Sequence, residues 1–139
     1  MKISVDFDCT LGEPYIQQLA KLLILGGADV WVLTSRTDDY IRWEGKIIGH
    51  QGFNMDLYRV CEKVGIPKDK IIFTGGPFKY KLFLEHKFDL HFDDDFKEVE
   101  LINRNGGRAM LVDLHLADIA FELHNVTDLN KYLDYENEQ

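Results

Sequence analysis

Short apolar runs alternate with stretches of helical spacing along most of the chain. Residues 3–6, 30–33, 71–73, 90–92 and 109–112 are brief, β-rich and flanked by polar or glycine-containing segments. Runs of this kind predict strands of a parallel sheet whose two faces are both covered. Between them, residues 13–25 predict a helix, with Pro14 suited to the first turn and Gly26-Gly27 to the end. Residues 54–64 predict a second helix behind an Asn cap, closed by Gly65 and Pro67. Residues 77–87 and 95–105 predict two more, the last stopped by Gly106-Gly107. Residues 38–52 start like a helix but carry Gly45, Gly49 and Gly52, and read as broken helix and loop. A short closing helix is expected over 127–132, with 134–139 fraying.

Strands alternating with helices predict an α/β fold: a doubly wound, mainly parallel, five-stranded Rossmann-like sheet with right-handed crossovers. Only about twenty residues separate Leu11 from the second strand, room for one helix and for no large cap domain. Residues 1–139 are expected to form a single domain. Ligands of such sheets bind beyond the carboxyl ends of the strands, where the strand order reverses. The chemistry-bearing residues fall at those ends: Asp6 and Asp8 after the first strand, Thr34-Ser35-Arg36 after the second, and Asp93-Asp94-Asp95 after the fourth. Thr74-Gly75-Gly76 follows the third strand, just before Lys79.

Two carboxylates two positions apart at a strand end repel each other unless a cation or a shared proton compensates. Asp93 and Asp94 would complete an oxygen-rich site of the kind Mg²⁺ prefers. With Mg²⁺ screening the charge, Asp6 is suited to attack phosphorus, and Asp8, further out, to serve as acid and then base. Thr34, backbone N–H groups near Ser35, and Lys79 would hold phosphate oxygens, and Arg36 would reach the rest of a substrate. Lys81 competes with Lys79, which is preferred because it lies nearer the helix start. Asp95 is expected to be a helix-terminal acid.

The sequence Val5-Asp6-Phe7-Asp8-Cys9-Thr10-Leu11, then Leu33-Thr34, then Lys79, then Phe92-Asp93-Asp94 resembles, in order, the four motifs of the haloacid dehalogenase superfamily of phosphohydrolases. The resemblance implies Asp6 as nucleophile and Mg²⁺ ligand, and Asp8 as acid/base with its carbonyl on the metal. It implies Thr34 and Lys79 on the phosphate, Asp94 on Mg²⁺, and Asp93 assisting directly or through water. Cys9 departs from the glycine often found there. The spacing around Lys79 and the Thr-Ser-Arg run look similar to the phosphatase half of polynucleotide kinase–phosphatases, and the double Asp to deoxyribonucleotidases. The expected activity is therefore a Mg²⁺-dependent phosphomonoesterase working through an aspartyl-phosphate, acting on a phosphorylated small molecule or on a nucleotide or oligonucleotide end. A catalytically silent phosphate-binding module and a phosphotransferase or receiver-like phospho-acceptor are the alternatives.

Bulk properties narrow the partners. A formal net charge of −8 argues against broad nucleic-acid binding while leaving room for a local phosphate site. No apolar run is long enough to span a bilayer, and no basic-then-apolar leader opens the chain. Cys9 and Cys61 form no disulfide framework or metal-ligand spacing, so a cytoplasmic protein with reduced thiols is expected. His50, His86, His91, His115 and His124 have no ligand spacing; His91 falls inside a strand, where packing is expected. Trp43 and His50 are the better candidates for contact with a substrate.

Overall fold

The computed structural model describes residues 1–113, and the closing helix expected over 127–132 lies outside them. Five strands form one parallel sheet: β1 (Lys2–Val5), β2 (Asp29–Thr34), β5 (Ile71–Phe73), β6 (Leu90–Asp93) and β7 (Ala109–Leu111). Their order is β5-β2-β1-β6-β7, with every neighbouring pair parallel. The chain winds outward from β1 through β2 to β5, then crosses back to β6 on the other side. The order therefore reverses between β1 and β6, which is where such sheets open a crevice.

Residue alternation assigns the two faces. Ile3 and Val5 of β1, with Val30 and Val32 of β2, pack into one apolar cluster. Helices α1 (Pro14–Leu25) and α2 (Met55–Val64) contribute Ile16, Ala20, Leu57 and Cys61 to it. On the opposite face Leu33, Phe83, Val99 and Ile102 form a second cluster beneath α3 (Tyr80–Glu85) and α4 (Phe96–Arg104). Expected and observed strands agree to within a residue or so at each end. The third helix is shorter than expected: Lys79 stands at its N-cap, and Gly75 and Gly76 before it adopt positive φ.

Gly107, just past α4, is a close-approach glycine. A Cβ there would lie 2.6 Å from Phe83 Cε1 and 2.7 Å from Ile102 Cγ2, both on fully buried side chains. Gly107→Ala is expected to cost about 1–3 kcal/mol through overpacking, read as a lower urea midpoint at unchanged slope. An unshifted midpoint would mean that this corner of the core yields freely.

One expectation is corrected. Residues 38–52 are not broken helix and loop: β3 (Tyr40–Trp43) and β4 (Lys46–His50) form an antiparallel hairpin separate from the main sheet. Trp43 pairs with Lys46, and Glu44 (φ 48°) and Gly45 (φ 76°) make the two-residue turn between them. Positive φ at both central residues matches the right-handed strand twist and closes a tight hairpin. Gly45 is thus a turn signal between two β-rich runs, not a helix breaker.

Candidate metal centre

The register of β1 against β6 builds the site. Ser4 lies beside His91 and Val5 beside Phe92, and the Asp6 amide donates to the Phe92 carbonyl at 2.9 Å. The next residue on each strand is an aspartate, so Asp6 and Asp93 meet at the point where strand order reverses. Asp94 follows one residue later. One oxygen from each of Asp6, Asp93 and Asp94 lies within 4.8 Å of the others. Asp6 and Asp93 are buried, 5% and 0% exposed, so their charge is poorly solvated.

Lys79 is the cation the protein itself supplies. Its Nζ lies 2.8 Å from Asp6 Oδ1 and 2.7 Å from Asp93 Oδ2, and the side chain is 3% exposed. Its backbone N–H donates to Glu98 Oε2 at 2.9 Å, which fixes the start of α3 over the crevice. Lys81, by contrast, is exposed and sits over the ring of its neighbour Tyr80. Burial pushes the Asp6 carboxyl up to about 8, opposed by Lys79 and reinforced by Asp93. Asp93 goes the other way, to about 2: burial would raise it, but the hydrogen bond from His91 and the Lys79 ammonium outweigh that. When all are ionised, three carboxylates against one ammonium leave two uncompensated negative charges, the deficit one divalent cation fills. An all-oxygen donor set suits Mg²⁺.

The turn after β1 shapes the rim. Phe7–Leu11 forms a wide helical turn interrupted at Asp8 and Cys9. Cys9 has φ 58°, the left-handed region glycine favours, so a cysteine at this turn carries local strain. Thr10 is buried beneath the turn, and its hydroxyl lies 3.3 Å from Asp94 Oδ1 and 3.5 Å from Asp6 Oδ2. Asp95 caps α4, its side chain accepting from the Lys97 amide at 2.9 Å.

Asp8 and Arg36 are occupied with each other. Arg36 Nε and Nη2 donate to the two Asp8 oxygens at 2.9 and 2.7 Å. Nη1 and Nη2 also donate to Asp56 at 2.8 and 2.9 Å, and Nη1 reaches Asn54 Oδ1 at 3.3 Å. A guanidinium has five N–H donors, and all five are directed at protein acceptors here, with the plane lying over the Phe7 ring at 4.8 Å. Arg36 therefore braces the rim and does not stand free. Thr34 is fully buried, and its hydroxyl accepts the Arg36 amide at 3.2 Å. Ser35 is exposed and lines the acidic cavity of about 310 Å³ together with Asp6, Lys79 and Asp94. Trp43 and His50 lie exposed on the hairpin, and His50 packs against Tyr58 with ring centres 5.5 Å apart.

Sequence reasoning gave no role to Thr10 or Ser4, and its placing of His91 within a strand core agrees with the structure, where the ring is fully buried and both its nitrogens are hydrogen-bonded.

No family model matches the chain. A phenylalanine–tRNA ligase beta subunit from Mycoplasmopsis synoviae (strain 53) is 46% identical over 89 residues, covering 63% of this chain and 11% of the relative. The chain thus corresponds to a small fraction of that subunit's length. The match corrects the expected activity. The relative is named for a tRNA ligase, not for a phosphomonoesterase working through an aspartyl-phosphate. In the structure Asp6, the expected nucleophile, is paired with Lys79, and Asp8, the expected acid/base, with Arg36.

Proposed function

We propose that this chain is a Mg²⁺-binding α/β module that engages a phosphate-bearing end of a nucleotide or RNA through the bound ion. The cluster of Asp6, Asp93 and Asp94 carries this reading. Those residues would hold Mg²⁺, and the ion would supply positive charge for phosphate oxygens. The Ser35 hydroxyl borders the same cavity and offers a hydrogen bond to that phosphate. An overall charge of −8 repels a polyanion, so contact limited to one cation-bridged phosphate suits this protein better than a broad basic surface. The similarity to part of a tRNA ligase subunit supports RNA as the source of the phosphate. Among the described residues no helix is long and apolar enough to cross a membrane. Free Cys9 and Cys61 fit a reducing, cytoplasmic setting.

Mn²⁺ titration followed by electron paramagnetic resonance tests the centre. The full chain should bind one ion, and Asp94→Asn should weaken binding at least about tenfold. A 5′-phosphorylated oligoribonucleotide should then bind in Mg²⁺ and dissociate in EDTA, while its 5′-hydroxyl counterpart binds in neither. Absence of Mn²⁺ binding by the full chain would remove the reading.

A further inference from the structure

Beneath the carboxylates runs a buried polar chain that apolar packing alone does not require. Ser4 Oγ lies 2.7 Å from His91 Nδ1, and His91 Nε2 lies 2.8 Å from Asp93 Oδ2. Both Ser4 and His91 are 0% exposed, and they sit side by side in register on β1 and β6. Their strand neighbours Ile3, Val5 and Phe92 are apolar. An apolar pair at this register would fill the space without the cost of burying an imidazole and a hydroxyl.

The hydrogen-bond pattern admits one arrangement for a neutral ring. A carboxylate only accepts, so Nε2 must carry the proton and donate to Asp93. Nδ1 is then an acceptor and takes the Ser4 hydroxyl proton. The Phe83 ring packs edge-on against the imidazole, with centroids 6.3 Å apart, and limits its rotation. Asp93 is consequently held at three points: Oδ2 accepts from His91 Nε2 and Lys79 Nζ, and Oδ1 accepts the Asp95 amide at 3.0 Å.

We propose that His91, locked in its Nε2–H tautomer by Ser4, is a positioning residue that presets the Asp93 carboxylate for the cation, an inference that rests on the Mg²⁺ reading above. Outer-shell donors to a ligating carboxylate fix its direction before the ion arrives, and losing one typically costs 10–100-fold in metal affinity. Ser4 touches no cluster oxygen, so its effect on the cation would have to pass through the imidazole.

The test uses the full chain, its Ser4→Ala, His91→Leu and His91→Gln variants, Mn²⁺ as probe, and ¹⁵N NMR of the His91 ring. The wild type should show the Nε2–H tautomer. Ser4→Ala should admit the other tautomer and weaken Mn²⁺ by about tenfold or more, and His91→Leu by about 10–100-fold. His91→Gln, whose amide N–H reaches towards the same oxygen, should recover most of that loss. Should His91→Leu fail to fold, Ser4→Ala carries the comparison, since it removes a single oxygen. If the wild type binds Mn²⁺ and Ser4→Ala binds it equally well, the positioning role is refuted and the metal centre stands. An Nδ1–H tautomer in the wild type refutes the role too, and a wild type that binds no Mn²⁺ removes both claims.

Discussion

Lys79→Met is expected to destabilise the metal-free protein by about 3–5 kcal/mol, the range for removing one partner of a buried ion pair. Methionine keeps most of the apolar stem, so the loss reports charge more than volume. What remains is Asp6 beside Asp93, both buried, with no ammonium between them. Burial already pushes Asp6 up to about 8, and Lys79 is what holds it from going higher. The folded-state pKa of Lys79 is itself raised: burial would lower it, but the charges of Asp6 and Asp93 prevail. A raised lysine stabilises at every pH below its unfolded value of 10.5 and loses that contribution only above it. Urea unfolding at pH 7 therefore compares the variants with Lys79 charged in both the folded and the unfolded parent. Added Mg²⁺ should return part of the loss, because an ion binding only the folded state at a hundred times its Kd contributes about 2.7 kcal/mol. Lys81→Met, at an exposed helical position, should stay within about 0.5 kcal/mol of the parent. Equal midpoints for the two variants would mean that the buried triad contributes nothing to stability.

The sheet was legible because its strands are short, apolar and separated by helices with clear stops such as Gly65 and Gly106-Gly107. The meeting of Asp6 with Asp93 was legible for a different reason. Both follow apolar strands directly, and parallel strands placed side by side end on the same edge. Register was not legible: that Ser4 sits opposite His91 depends on how β6 slides against β1, which no local pattern encodes. The hairpin was missed because glycine counts against helix and for a turn at once, and Glu44 is not among the residues a two-residue turn favours. Arg36 was read as reaching outward because its acceptors, Asp8 and Asp56, are 28 and 20 residues away in the chain. The activity failed for a further reason: four motif-like segments specify where carboxylates gather, and the same gathering serves binding as well as bond cleavage.

Asp39→Ala should cost about 3–4 kcal/mol and loosen the hairpin first. Asp39 is 1% exposed, with no basic side chain among the partners that hold it. Its Oδ2 accepts the amides of Gly52 and Asn54 at 3.0 and 3.3 Å, its Oδ1 accepts the Tyr58 hydroxyl at 3.1 Å, and its carbonyl accepts the Gln51 amide at 2.8 Å. Alanine would strand three donors, each costing about 1–3 kcal/mol when left unpaired, with partial rescue by water where the loop opens. Those donors fasten the end of the hairpin to the start of α2, and Asn54 passes the restraint onward through Thr37 and Arg36 to the rim of the acidic cavity. Burial alone would raise the Asp39 pKa, yet the Tyr58 hydroxyl and the amides of Asn54 and Gly52 bring it below 3.8. A lowered carboxylate stabilises the fold above its unfolded pKa and loses that contribution as pH falls through the folded value. The gap between parent and Asp39→Ala should therefore be full at pH 7 and narrow only below about pH 4. Amide exchange at Gly52 and Asn54 should quicken in the variant while β1 and β6 stay protected. Asp38→Asn is the control, since it breaks a solvent-facing pair with Arg42 and should cost less than about 1 kcal/mol. Should both substitutions cost the same, the hairpin is held by its own strand pairing, and the buried carboxylate is incidental to it.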